Sequence, residues 1–566
     1  MSLFSAVQSA ATSLQINQLG LQVVGNNIAN VNTPGYVRQQ LIQSPAVGYR
    51  FGDTIIGQGV RAQAVQQVVD EFVLDRMRKT QSDLSLQEEL ESENVEVEAL
   101  LNELTDRDFS SMLNRFADAF QEIANQPGSE SMRLLALQRG QEIASELQKV
   151  SLNVQASAAR ARQSIIGVTS DINRLAKTIG NLNLRIVELE GGSVTRSDAV
   201  GLRDERIKAL NELSSLVNIN ASEQPDGSVT VFIGGDFLLA SNLVRELKTQ
   251  VIENDDRGIE VRFVDSDSPV PITGGRLAGL YQTAMPSRPD GMQTRLDALA
   301  RDMIRVVNSV HSQGQGSRGF RTTAGEVSIA ERDKPLEVGN PKLDLRSGSF
   351  WISVTDERNS TERNIEIPIQ QLGIESDTTP SQLLAAIDAV DGLSANWTND
   401  GRLEIRSDSE AIRFSLSKDT SGVLAALGVN TFFRGTSALD IEVRPTLLND
   451  PSAIAASFNG VGKGADNAIA IAEAFTKGHP LLDGSSIGDA YQRMYGDTIR
   501  SINEQKGIAD GLRNFRQSLE AKHLSVSGVN LDEEAVKMIM YQRAFQATSR
   551  VITTAADLIR TLVEMV

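Results

Sequence analysis

Residues Met1 to Val37 contain no Asp, Glu, Lys or Arg, yet they carry a helical stripe of apolar side chains. Leu3, Val7, Ala10, Leu14, Leu21, Val24, Ile28 and Val31 alternate four and three apart, with polar Asn17 in the middle of the row. Such spacing keeps one seam turned toward a partner helix, and a single polar seam residue fixes register at some cost in stability. A charge-free helix with no core of its own is marginally stable in isolation. The segment therefore needs a helical partner, and the row is expected to end in the loop Asn26-Asn27-Ile28-Ala29-Asn30-Val31-Asn32-Thr33-Pro34-Gly35-Tyr36.

A partner stands at the far end of the chain. Ser527 to Ala535 reads as a turn and a helix start, with Asp532, Glu533 and Glu534 in the first turn, where the helix dipole favours acids. Downstream, Met540, Ala544, Ala547, Val551, Thr554, Leu558, Thr561 and Met565 form one stripe. Tyr541, Phe545, Thr548, Ile552, Ala555, Ile559, Leu562 and Val566 form the adjacent one. Arg543, Arg550, Asp557 and Glu564 recur every seven residues on another face, giving the helix one side for packing and one for water. The same spacing also suits two ordinary amphipathic helices docked on a globular core.

Further in, Leu86, Leu90, Val97, Leu100 and Leu104 share a stripe, and a longer one runs from Leu147 to Leu189 before Gly191-Gly192 ends it. At the usual helical rise that stripe predicts a rod of roughly 60 Å. Gly167 and Gly180 each weaken it by about 1 kcal/mol relative to Ala, so neighbouring helices must hold it. Between Asn218 and Val264 the period changes to two, with Val229, Val231 and Ile233 alternating and Glu260 to Phe263 a further strand. Helix returns from Arg295 to His311. From Leu343 the chain becomes strand-rich, with Phe350 to Val354 and Arg402 to Ile405 flanking a helix at Pro380 to Val390; helical signals resume near Asp489. The expected fold is mainly α with β insertions: a long helical bundle formed by N- and C-terminal parts, terminal coiled-coil helices and an inserted α+β domain. The expected division is residues 1–35 with 530–566 as paired terminal helices. Residues 36–325 with 450–529 form the bundle, with a small β insertion near 218–275, and 326–449 form the inserted domain.

The 566 residues suffice for several domains. A formal charge of -18, from 55 basic against 73 acidic residues, argues against a nucleic-acid partner or an anionic membrane surface. No run approaches eighteen apolar residues, so no membrane insertion is expected. Without cysteine there is no disulfide and no thiolate metal site. Gly484-Ser485-Ser486-Ile487-Gly488 fits the pattern of a nucleophile elbow, but only the Pro-interrupted His479 to Asp483 precedes it, so a loop capping the next helix is the better reading. Gly314 to Gly319 mimics a dinucleotide loop but follows a helix, and Gly460 to Gly464 lacks the spacing of a phosphate loop. His311, His479 and His523 are dispersed, so no metal, cofactor or catalytic site is expected.

The opening segment, from Asn26 to Gln39 above all, resembles the N-terminal signature of bacterial flagellar axial proteins, the rod, hook and hook-associated family. Val529 to Leu562, containing Tyr541-Gln542-Arg543-Ala544-Phe545-Gln546-Ala547, resembles their C-terminal signature. Three inner stretches, Gly274 to Leu280, Leu296 to Ala300 and Val307 to Gly314, resemble the helical region of the hook–filament junction members, and Asp419 to Phe433 is similar to another segment of them. The resemblance implies a non-enzymatic structural subunit of the flagellum, exported by a type III route with an uncleaved N-terminal signal and therefore extracellular. It implies termini innermost and insertions outermost, with coupled folding and assembly of the ends. The implied partners are other copies of itself in a ring or helical lattice, hook protein, the second junction protein (hook-associated protein 3) and an export chaperone on the C-terminal helix. The assembly interface would comprise Leu3, Val7, Leu14, Asn17, Leu21, Val24, Ile28, Val551, Ile552, Leu558, Ile559 and Leu562. Arg543, Arg550, Asp557 and Glu564 would face the export channel. Another axial protein, rod or hook, and an exported protein with an adhesive outer domain are the alternatives.

Overall fold

A computed structural model of the chain describes residues 3–33, 35–51, 54–101, 108–191, 199–252, 258–336, 345–359, 361–374 and 376–564. The fold is mainly α with β insertions. It divides into two compact units, each discontinuous in sequence: residues 1–93, 159–284 and 503–566, and residues 94–158 and 285–502.

In the first unit the N-terminal helix Leu3–Ala29 packs along the C-terminal helix Leu531–Glu564. The N-terminal helix thus takes in Asn26 to Ala29, so the loop expected from Asn26 begins after Ala29. It is followed by an antiparallel ribbon of Gln39–Pro45 and Val60–Gln67. The long helix Glu130–Glu190 outruns the predicted stripe at its N-terminal end. Its Ile165, Ile172 and Ile179 pack with Leu210 and Leu213 of helix Val200–Leu216 and with Val231, Ile233 and Phe263 of the β insertion. Val229, Val231 and Ile233 alternate inward as their period of two requires. A Cβ at Gly180 would stand 3.3 Å from Leu239, so this glycine lets the sheet approach the helix; nothing packs at Gly167. Leu189, at the end of the stripe, is exposed. Gly275 is required by its backbone, since its φ is +77° and a Cβ would sit 2.5 Å from the Leu216 carbonyl carbon.

The second unit centres on an aromatic core in which Phe116 and Phe120 of helix Phe109–Asn125 meet Phe432, Phe433 and Phe475 edge-on or tilted. Leu147, Val150 and Val154 of the long helix and Leu296, Met303 and Val307 of helix Met292–His311 complete it. A further core lies between two three-stranded sheets, one ordered 361–369, 348–356, 412–417 and the other 322–328, 402–407, 393–397. Helix Pro380–Asp388 packs there, started by a capping box of Thr379 and Gln382. A boundary at residue 326 would cut the strand Thr322–Ser328, and Phe432 to Leu447 pack in the aromatic core rather than between the sheets.

Candidate assembly interface at the paired termini

The motif between the N-terminal helix and the ribbon is built around Asn27, which is fully buried. Its Oδ1 accepts from the Gln39 backbone N–H at 2.9 Å and from the Tyr36 hydroxyl at 2.8 Å. Its Nδ2 donates to the Gln39 carbonyl at 2.9 Å and to Glu534 Oε2 at 2.9 Å. The amide thereby uses its acceptor twice and both donors once, and toward Gln39 it acts as one rung of a β-ladder.

Glu534 belongs to the acidic first turn of the C-terminal helix, yet it is buried while Asp532 and Glu533 are exposed. Its other oxygen takes Lys537 Nζ at 2.7 Å and lies 3.4 Å from Arg38 Nε, while Arg38 Nη1 reaches Glu533 at 3.1 Å. The Arg38 backbone N–H donates to the Ser527 carbonyl at 2.9 Å. Asn530 caps the helix by accepting from the Asp532 N–H. Further along, the Tyr541 ring crosses the N-terminal helix at Gly20, where a Cβ would lie 2.6 Å from the ring. Burial, followed by the charges of Asp204 and Glu534, pushes the Tyr36 hydroxyl up to about 12, so it stays protonated and donates to Asn27.

The buried row of the N-terminal helix is Ile16, Gly20, Val23 and Asn27, with Val24 and Ala10 beside it. Of the residues expected at the seam, Val24 is buried and Val7, Leu14, Asn17, Leu21 and Ile28 are half-buried; the Leu3 side chain lies outside the described residues. Burial shifts because the helix has two neighbours, the C-terminal helix and the ribbon, and its most enclosed line falls between them. The polar residue enclosed by this packing is accordingly Asn27, not Asn17. On the C-terminal helix, Ile552 and Ile559 are half-buried beside buried Ala555, whereas Val551 and Leu558 are exposed. The side chain of Leu562, like Met565 and Val566, lies outside the described residues. Arg543, Arg550, Asp557 and Glu564 are all exposed, and Arg560 pairs with Glu564 at 3.2 Å.

Asp204 ties the residue after Tyr36 to the bundle. Its carboxylate accepts from Gln67 Nε2 at 2.6 Å and from the Val37 N–H, but burial outweighs these bonds and pushes it up to about 7. A folded value above the unfolded one near 3.8 means that the native state holds a proton the unfolded chain has released. Its stabilising contribution is complete below the unfolded value and is lost as pH rises toward 7. Asp204→Asn should therefore flatten the melting temperature of the first unit between about pH 4 and about pH 8 and raise it at the upper end of that range. Parallel curves for variant and wild type would show that Asp204 is not the group responsible.

Of the stretches that mimic catalytic motifs, Gly484 to Gly488 leads into a helix. Ser486 and Asp489 cap each other at the start of helix Ile487–Ser527. His311 is buried, with Nδ1 on the Asn430 carbonyl at 2.8 Å and Nε2 accepting from the Ala455 N–H at 3.1 Å; burial pushes it down to about 4, so it is neutral. Among the described residues no group of three or more His, Cys, Asp and Glu is placed to hold a metal ion, and no helix is long and apolar enough to cross a membrane.

Residues 95–326 match the model of the flagellar hook-associated protein FlgK helical domain. Residues 8–36 match that of the flagella basal body rod protein, and 520–565 that of the flagellar basal body rod FlgEFG protein C-terminal region. Flagellar hook-associated protein 1 of Salmonella typhimurium is 23% identical over 579 residues, covering 99% of this chain and 100% of that protein. Its Bacillus subtilis counterpart is 24% identical over 399 residues, 63% of this chain and 78% of that one. The solved structure of the flagellar hook junction protein FlgK from Burkholderia pseudomallei aligns with 80% of this chain and 100% of that chain, at TM-score 0.48 and 13% identity. With end-to-end sequence similarity and terminal and helical matches in the same order, the chain belongs to the flagellar hook-associated protein 1 family.

Proposed function

We propose that this protein is the non-enzymatic structural subunit that joins hook to filament, and that its paired terminal helices are what it assembles through. The observation that carries the assembly reading is the unequal burial of the C-terminal helix. The stripe of Tyr541, Phe545, Ile552 and Ala555 is at least half covered within the chain, while Met540, Val551 and Leu558 in the adjacent stripe stand open. An apolar row exposed along a helix calls for a neighbour. Covering large residues such as Leu558 in a lattice would contribute roughly 1.5 to 3 kcal/mol each.

The neighbours in this reading are further copies of the chain, hook protein on one side and the second junction protein, hook-associated protein 3, on the other. Before assembly, an export chaperone covers the C-terminal face. The chain travels by type III export to its place outside the cell, and Arg543, Arg550, Asp557 and Glu564 give the channel wall a polar lining. A density map of the assembled junction with those four side chains at protein contacts would remove them from the channel.

Deletion of the gene should leave hooks without filaments and release flagellin into the medium, as seen by electron microscopy and by assay of the culture fluid. Restoring the wild-type gene should rebuild filaments, and restoring Leu558→Asp should not, although its folded cores remain. Normal filaments on the deletion strain would overturn the junction role. Normal filaments with Leu558→Asp would overturn the paired-helix mechanism alone.

A further inference from the structure

Helix Glu71–Leu101 contributes Glu71 and Arg78, two turns apart on one face, to a cleft that Arg203, Arg206 and Glu223 also line. The cleft lies wholly within the first unit and holds about 50 Å3, more than one water needs. Arg78 is 5% exposed, and its Nε is enclosed without an acceptor. Among the described residues its guanidinium makes no hydrogen bond and no ion pair within 4 Å.

The other two guanidiniums of the cleft have their counter-charges. Arg203 grips Glu190 and Glu223, and Arg206 holds the Gly227 carbonyl at 2.6 Å and Asn183 Oδ1 at 3.0 Å, with Glu223 at 3.4 Å. Glu190 and Glu223 are themselves enclosed, their side chains 1% and 13% exposed. Three buried guanidiniums thus face two buried carboxylates, and the charge left over is that of Arg78. Glu71 and Asp75 on the same helix attract it from a distance, but both are exposed and their pull is weaker than the cost of its burial. An arginine cannot shed its proton to relieve that cost, and water meets its donors without meeting its charge.

We infer that this cleft binds one small monovalent anion against Arg78, of the size of a halide or formate. The planar fork of the guanidinium presents several N–H donors to such a guest from one side. Size excludes larger guests, since the cleft falls well short of the roughly 300 Å3 at which pockets for organic ligands begin. Charge excludes more highly charged ones, because Glu71 and Glu223 in the walls repel a second negative charge. The cleft is walled by the ribbon strand Val60–Gln67 through Gln67, by helix Glu71–Leu101, by helix Val200–Leu216 and by the β insertion through Glu223. Only the folded first unit brings these four together, so the anion binds the native state alone and stabilises it by mass action.

Calorimetry of the full chain in increasing sodium bromide, with sodium gluconate holding the ionic strength constant, reads this coupling, because gluconate is too large for the cleft. Once bromide exceeds its dissociation constant, each tenfold rise is expected to multiply the folding constant of the first unit by about ten in the wild type. Arg78→Met is expected to lose that dependence, and the transition of the aromatic core should not follow bromide in either protein. Anomalous diffraction from bromide-soaked crystals of the wild type should place one bromide at the Arg78 guanidinium, a readout that needs no variant to fold. The same bromide dependence in wild type and Arg78→Met, or bromide bound at other places in the crystal and not at Arg78, would mean an adventitious ion only and would overturn the site. A wild-type first unit indifferent to bromide would overturn it as well.

Discussion

Glu534→Ala is expected to free both terminal helices while leaving the two folded units otherwise intact. The substitution removes an enclosed carboxylate that holds Asn27, Lys537 and Arg38 at once. Asn27 keeps its ladder to Gln39, but its second N–H loses its acceptor, Lys537 loses its counter-charge and Arg38 keeps only Glu533. Breaking a buried pair by deleting one partner costs about 3 kcal/mol or more. Lys537 and Arg38 retain some contact with water, which holds the figure at the lower end. Helices with little core of their own cannot absorb such a loss. Hydrogen exchange should accelerate together in residues 3–29 and 531–562, with no change in helix Asp466–Glu473 of the aromatic core. Glu534→Gln should keep more of the protection than Glu534→Ala, because its amide oxygen can still accept from Asn27. Unchanged exchange in the single variant would mean that the stripe of Tyr541 to Ile559 suffices to hold the helices.

The reach of the sequence reading followed the range of the interactions concerned. Period alone located the helices around Leu147 to Ile186 and 540–560 and the strands at Val229 to Ile233, since burial of one face is written into consecutive residues. The polar contact at the termini joins residues 507 apart, and nothing local separates Glu534 from Asp532 or Glu533 in the same acidic turn. Asn27 could be suspected from its motif, but Asn17 was the better match to a seam position. The ribbon leaves no local signal, because Gln39-Gln40-Leu41-Ile42-Gln43 has no clean alternation of apolar and polar residues. Both C-terminal stripes were visible as apolar; which one the chain covers itself depends on where Gly20 admits Tyr541, a tertiary fact.

Arg203→Met is expected to produce the other large loss, confined to the β insertion of the first unit. Arg203 is buried and grips Glu190 with two bonds of 2.9 Å and Glu223 with one of 2.8 Å. Arg206 beside it holds the Gly227 carbonyl at 2.6 Å and Asn183 Oδ1 at 3.0 Å, and Asn183 in turn binds both the N–H and the carbonyl of Val229. The end of the long helix, the helix Val200–Leu216 and the first hairpin of the sheet are thus joined by one buried polar network. Methionine fills the space left by the stem but leaves Glu190 enclosed without a cation, a loss of about 3–5 kcal/mol for a buried pair. The calorimetric transition of the first unit should fall well below that of wild type while the transition of the aromatic core stays in place. Replacing Glu190 by Gln in the same chain should restore part of the loss, since the stranded charge is then gone. Arg174 supplies the contrast: it pairs with Asp171 and Glu212 on the surface, with more than half of its side chain in water. Arg174→Met should change stability by about 0.5 kcal/mol or less. Equal effects at the two positions would mean that the network tolerates the loss of its central cation, and that apolar packing of Ile179, Leu213 and Val231 alone holds the sheet to the helix.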